Sequence, residues 1–77
     1  MIHTPDAAAM ITLTVNGTAR ELARNSSLAG LLGELGIDRR MVVVEHNRSI
    51  LRDRDLFDSV ELGSGDTVEI VHFVGGG

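Results

Sequence analysis

The residues of this chain best suited to chemistry are the three glycines at its end, Gly75, Gly76 and Gly77. Glycine has no Cβ, adopts backbone conformations closed to other residues, and can thread a channel too narrow for side chains. A terminal carboxyl group presented in this way becomes an acyl donor once its oxygen is converted to a better leaving group, for which adenylation by ATP is a common route. Residues Val74 to Gly77, fully extended, reach about 13 Å at roughly 3.3 Å per residue. The pattern predicts a small body that docks outside a partner enzyme. Gly75, Gly76 and Gly77 then enter the partner's active site, and Gly77 carries the new covalent bond.

Other reactive constellations are missing. Without cysteine the chain has no disulfide, no thiolate metal site and no thiol nucleophile, so any sulfur it handles comes from elsewhere. His3, His46 and His72 stand at no metal-ligand spacing, and no metal site or cofactor is expected. The loop carrying Asp53, Asp55 and Asp58 lacks the glycine and terminal glutamate of an EF-hand. Gly63 and Gly65 are followed by neither the helix nor the lysine of a phosphate loop. All seven basic residues are arginine, and the net charge of -4 disfavours nucleic acid, which binds clustered positive charge. Acidic residues such as Glu45, Glu61 and Glu69 read as a solvated face able to steer a basic partner.

At 77 residues the chain has material for one thin core and little for the walls of a catalytic cleft. A carrier or binding role is therefore favoured over an enzyme. No apolar run approaches the length of a membrane span, and the start lacks a secretory pattern, so the expectation is a cytoplasmic protein with no membrane partner.

The elements that must position the glycines follow from hydrophobic periodicity. Residues 1–9 show none and read as a mobile leader. From Met10, Ile11, Leu13 and Val15 alternate with Thr12 and Thr14 as in a half-buried strand, and Asn16-Gly17 is the preferred pair for a type I′ hairpin turn. A return strand over Thr18 to Ala23 follows. Leu28, Leu31, Leu32 and Leu35 share one face of a helix over Ser27 to Gly36, capped by Ser26 or Ser27 and ended by Gly36. Gly30 and Gly33 inside it are expected to mark a close approach to the sheet. Met41 to Glu45 reads as a buried central strand, Ile50 and Leu51 as a short one, and Arg52 to Ser59 as a loop or single turn pinned by Leu56 and Phe57. After the Gly63-Ser64-Gly65-Asp66 turn, Val68, Ile70 and His72 alternate with Glu69, Val71 and Phe73 in a last strand that fits the sheet interior and runs directly into the glycines. The order implies an α+β fold of the β-grasp, ubiquitin-like type, with a mixed sheet of four to five strands over one main helix. Residues 10–74 form the domain and 75–77 a flexible tail.

The run Glu69 to Gly77, preceded by the Gly65-Asp66 turn, resembles the end of the ThiS sulfur carriers of thiamine biosynthesis. Val42 to Asn47 is similar to that family's central strand and following turn, and the likeness extends over residues 10–77. It implies a carrier or protein cosubstrate rather than a catalyst. The Gly77 carboxylate would be adenylated by a ThiF-like enzyme and converted to a thiocarboxylate with sulfur from cysteine through a desulfurase. A ThiG-like thiazole synthase would accept that sulfur. His72, Phe73 and Val74, at the exit of the last strand, are the expected docking residues, and a carrier that visits several enzymes is expected to be a monomer. Three alternatives share the fold: a molybdopterin-type carrier, a protein modifier joined through Gly77, and a passive interaction module. The His72 to Gly77 ending favours the thiamine type over the molybdopterin type. A chain without lysine has no side-chain amine on which to build polymers of itself.

Overall fold

A computed structural model describes residues 9–73. Nearly all of the expected leader, together with Val74, Gly75, Gly76 and Gly77, lies outside the described residues.

Strand β1 (Met10–Val15) turns at Asn16 and Gly17, with φ of 49° and 81°, into β2 (Thr18–Ala23). The pair is antiparallel from Val15 opposite Thr18 to Met10 opposite Ala23, the register that a two-residue turn imposes. Helix α1 (Leu28–Glu34) begins where the Ser27 hydroxyl accepts the Gly30 N–H at 3.0 Å. It ends at Gly36, whose φ of 70° allows the Gly36 N–H to reach the Gly33 carbonyl and the Ile37 N–H to reach that of Leu32. A short 3-10 turn (Arg39–Met41) leads into β3 (Val42–His46), then β4 (Ser49–Leu51), a second 3-10 turn (Arg54–Leu56) and β5 (Thr67–His72).

The sheet order is β2-β1-β5-β3-β4. Strand β5 lies parallel to β1 and antiparallel to β3, so the strand that leads to the glycines is held on both sides. Helix α1 covers one face of the sheet. Leu28, Leu31 and Leu32 pack there against Ile11, Leu13, Val15, Leu22, Val42, Val44, Val68 and Ile70, with Phe57 and Leu62 closing the core. Among the described residues no helix is long and apolar enough to cross a membrane.

Three local expectations need correction. Gly33 has nothing within 4 Å of where a Cβ would sit, and Gly30 meets only the Ser27 hydroxyl at 3.4 Å. The leucine spacing that buries one face of α1 turns both glycines toward solvent, so close packing does not explain them. Strand β3 is buried on one face only: Val42 and Val44 are fully covered, whereas Val43 faces out, because among the described residues no second layer covers that side of the sheet. Of the pair expected to pin the following loop, Phe57 is fully buried while Leu56 is 55% exposed. One apolar anchor suffices for a single 3-10 turn.

Candidate functional site

The candidate site is the end of β5, where the chain leaves the sheet toward the glycines. Each neighbour of β5 holds it differently. On the β3 side an antiparallel ladder runs from His46 opposite Val68 to Val42 opposite His72, and a bond from the Phe73 N–H to the Met41 carbonyl at 2.9 Å carries it one residue further. On the β1 side only Thr14 and Val15 pair with Thr67 and Val68. Beyond them the chain of β1 turns away, and the Asn16 side chain takes over. Its carboxamide oxygen accepts the Ile70 N–H at 2.7 Å and its NH₂ donates to the Ile70 carbonyl at 3.2 Å. A single side chain thus substitutes for a missing strand residue and satisfies both main-chain groups of Ile70.

Strand alternation separates the expected docking residues. His72 shares the side of Ile70 but is exposed at the strand's end, while Phe73 continues the opposite, open face of the sheet with Val71. Val43 pairs with Val71, Ile50 pairs with Glu45 on the same face, and Met41 bonds Phe73. Val71 at 61%, Phe73 at 49% and Ile50 at 50% exposure form an apolar strip that ends where the tail begins, bordered by Glu45 and Glu69. The strip extends the Phe73 surface along β5 and β3; Val43 belongs to a run expected to be buried, and two adjacent apolar residues, Ile50 and Leu51, do not announce which of them faces out.

The start of β5 is fixed by a polar cluster. His46 Nε2 lies 2.8 Å from Asp66 Oδ2, the Gly63 N–H donates to the same oxygen at 2.8 Å, and Asn47 Nδ2 donates to Asp66 Oδ1 at 3.1 Å. Asn47 Oδ1 in turn accepts the Thr67 N–H at 2.9 Å. Burial pushes the Asp66 carboxyl up, but the bonds from His46, Gly63 and Asn47 outweigh it and hold the group below its ordinary value of 3.8. A carboxyl depressed in this way stabilises the fold fully above its unfolded value, and that contribution is lost as pH falls through the folded value. Asp66→Asn is therefore expected to cost about 1 kcal/mol at neutral pH, and the deficit to shrink as pH falls below the ordinary carboxyl value of 3.8 and through the folded one, as read from urea midpoints across that range. A constant deficit across that range would show that the charge contributes nothing.

Two of the three aspartates in the loop from Asp53 to Asp58 have local partners. Asp53 accepts the Asp55 N–H at 3.0 Å as the cap of its 3-10 turn, and Asp58 pairs with Arg39 at 3.0 Å.

A mixed five-strand sheet in this order, wrapped over one helix, defines a ubiquitin-like β-grasp protein. Residues 13–77 match the ThiS family, and the chain belongs to that family. The crystal structure of the thiamine biosynthesis protein ThiS from Geobacter metallireducens superposes with a TM-score of 0.74 at 36% identity, covering 87% of this chain and all of that one. The sulfur carrier protein ThiS of Bacillus subtilis is 39% identical over 51 residues, spanning 66% of this chain and 76% of the relative. A thiazole synthase of Paramagnetospirillum magneticum is 42% identical over 65 residues. The chain covers 84% of its own length in that match but only 20% of the synthase, and in a second thiazole synthase, from Magnetococcus marinus, the covered share is 19%.

Proposed function

We propose that this protein is a sulfur carrier in the making of the thiazole of thiamine, and that the Gly77 carboxylate carries the sulfur. A ThiF-like enzyme transfers AMP from ATP to that carboxylate, releasing pyrophosphate. A persulfide that a desulfurase forms from cysteine then displaces AMP to give an acyl disulfide, and a thiol reductant cleaves its S–S bond, so that AMP leaves with one carboxylate oxygen and sulfur takes its place. The resulting thiocarboxylate is delivered to a ThiG-like thiazole synthase. The protein acts as a cosubstrate and returns with its carboxylate restored.

The observation that carries this reading is the position of β5. It is the central strand, held from the β1 side as far as Ile70 and from the β3 side up to Phe73, and the sequence after it has only Val74 before the glycines begin. A rigid platform with a side-chain-free continuation suits delivery of a backbone end into another protein's active site. Gly75 and Gly76 give access, Gly77 bears the bond, and Phe73, Val74 and His72 contact the partner at the entrance, with the apolar strip behind Phe73 available as an anchor. Two proteins named thiazole synthase contain a segment like this chain, which supports such a synthase as the acceptor.

The test is intact mass spectrometry after incubation with ATP, a ThiF-like enzyme and a sulfur source. A gain of about 16 Da is expected, from replacement of one oxygen by one sulfur. An unchanged mass with a demonstrably active enzyme would assign the chain to passive binding instead.

A further inference from the structure

The two aromatic residues of the chain each face an arginine, and the two arginines hold each other through the main chain. Arg39 lies with its guanidinium 6.0 Å from the Phe57 ring centre, and Arg54 with its own 5.5 Å from that of Phe73. Arg54 Nε donates to the Arg39 carbonyl at 2.9 Å, and Arg39 Nη1 returns a bond to the Arg54 carbonyl at 3.2 Å. Arg54 Nη2 also donates to the Val42 carbonyl at 3.1 Å, while Arg39 is held in a two-oxygen pair with Asp58 at 3.0 and 3.3 Å. The Arg54 guanidinium is thus fixed by bonds to two main-chain carbonyls at the start of β3, which leaves a cationic plane facing the Phe73 ring.

Phe73 needs such a support. It lies outside the buried core and is half exposed, and in sequence only Val74 separates it from the glycines. Its N–H is bonded to the Met41 carbonyl, one residue before β3, so Arg54 and Met41 grip its side chain and its backbone from the same corner of the sheet. We propose that Arg54 is a positioning residue for the tail: by holding Phe73 against the start of β3, it sets the direction in which the chain leaves the sheet. The proposal rests on the reading that the tail is activated by a partner enzyme. Its contribution is then to orientation rather than to docking, because Arg54 grips Phe73 at the base of the tail while Val71 and Ile50 of the apolar strip remain to anchor the partner.

The experiment compares the full chain with Arg54→Ala, Phe73→Leu, the double variant, and Arg52→Ala. Arg52→Ala removes the same charge from a neighbouring exposed arginine on the same cavity of about 200 Å³. With a ThiF-like enzyme and ATP, Arg54→Ala is expected to lower kcat for pyrophosphate release about tenfold while KM changes by less than about twofold. In the double variant, kcat should fall little further than in Arg54→Ala alone, since both changes break one contact. Arg52→Ala should leave both constants near wild type. A readout that needs no enzyme is amide exchange: Phe73 protection, measured relative to Val68, should drop about tenfold in Arg54→Ala and not in Arg52→Ala. Unchanged Phe73 protection, a loss confined to KM, or effects on kcat that multiply in the double variant would overturn the proposal. Wild-type protein that releases no pyrophosphate would sink the carrier reading instead, and the exchange measurement would still decide whether Arg54 holds Phe73.

Discussion

Removal of Gly76 and Gly77 is expected to abolish thiocarboxylate formation, with a fall of at least about 100-fold in the activation rate and no change in the urea midpoint. The argument is one of reach and width. Four extended residues beyond Phe73 span about 13 Å, and two span only about 7 Å, so the shortened carboxylate stops well short of a reaction centre built for the full tail. The new terminus would also be Gly75, chemically the same carboxyl group as before. Intrinsic reactivity is thereby preserved, and only placement changes. Stability should be unaffected because, among the described residues, the buried core runs from Ile11 to Ile70. A companion variant, Gly76→Val, keeps the length and adds a β-branched side chain; if the tail enters a channel too narrow for side chains, as proposed, its activation is expected to fall as well. Both are read by the mass gain on incubation with ATP, activating enzyme and sulfur source. Full conversion of the truncated chain would remove the basis for assigning the chemistry to Gly77.

Phe57→Ala should be the most damaging single change to the fold. Phe57 is fully buried, the largest side chain in the core, and the Phe57 carbonyl accepts the Ala29 N–H at 3.1 Å where the loop meets α1. Truncating a buried phenylalanine costs about 3–5 kcal/mol. A domain of this length has a total stability of roughly 4–12 kcal/mol, so much of it disappears. The melting temperature is expected to fall by more than about 12 °C. Leu56→Ala is the control from the adjacent position: Leu56 is mostly exposed, and its loss should stay within about 0.5 kcal/mol. Equal losses from the two substitutions would mean that the loop is seated differently.

Both predictions concern residues whose roles differ in how far the sequence announces them. The glycine tail, the Asn16-Gly17 turn and the leucine face of α1 are legible because each is written in a short stretch of chain: a residue type without Cβ, a pair that tolerates positive φ, a spacing of three and four. The choice between Leu56 and Phe57 is not, because two adjacent apolar residues in a turn offer no period, and only the position of the core selects one of them. Gly30 and Gly33 differ, since the spacing of Leu28, Leu31, Leu32 and Leu35 already turns both away from the buried face of the helix.

Local pattern, then, determined the strands, the helix and the α+β class, and spelled out the glycine ending, since hydrophobic period and turn chemistry act over a few residues. Tertiary structure alone decided that the exposed face of β3 joins Val71 and Phe73 in one apolar strip, and that the Asn16 amide completes the pairing of Ile70 across 54 positions of sequence. It also brought His46 to Asp66 and Arg54 to Phe73, each about 20 residues away. Such contacts join side chains whose separation along the chain carries no period, so they arise only when folding closes the loops between them.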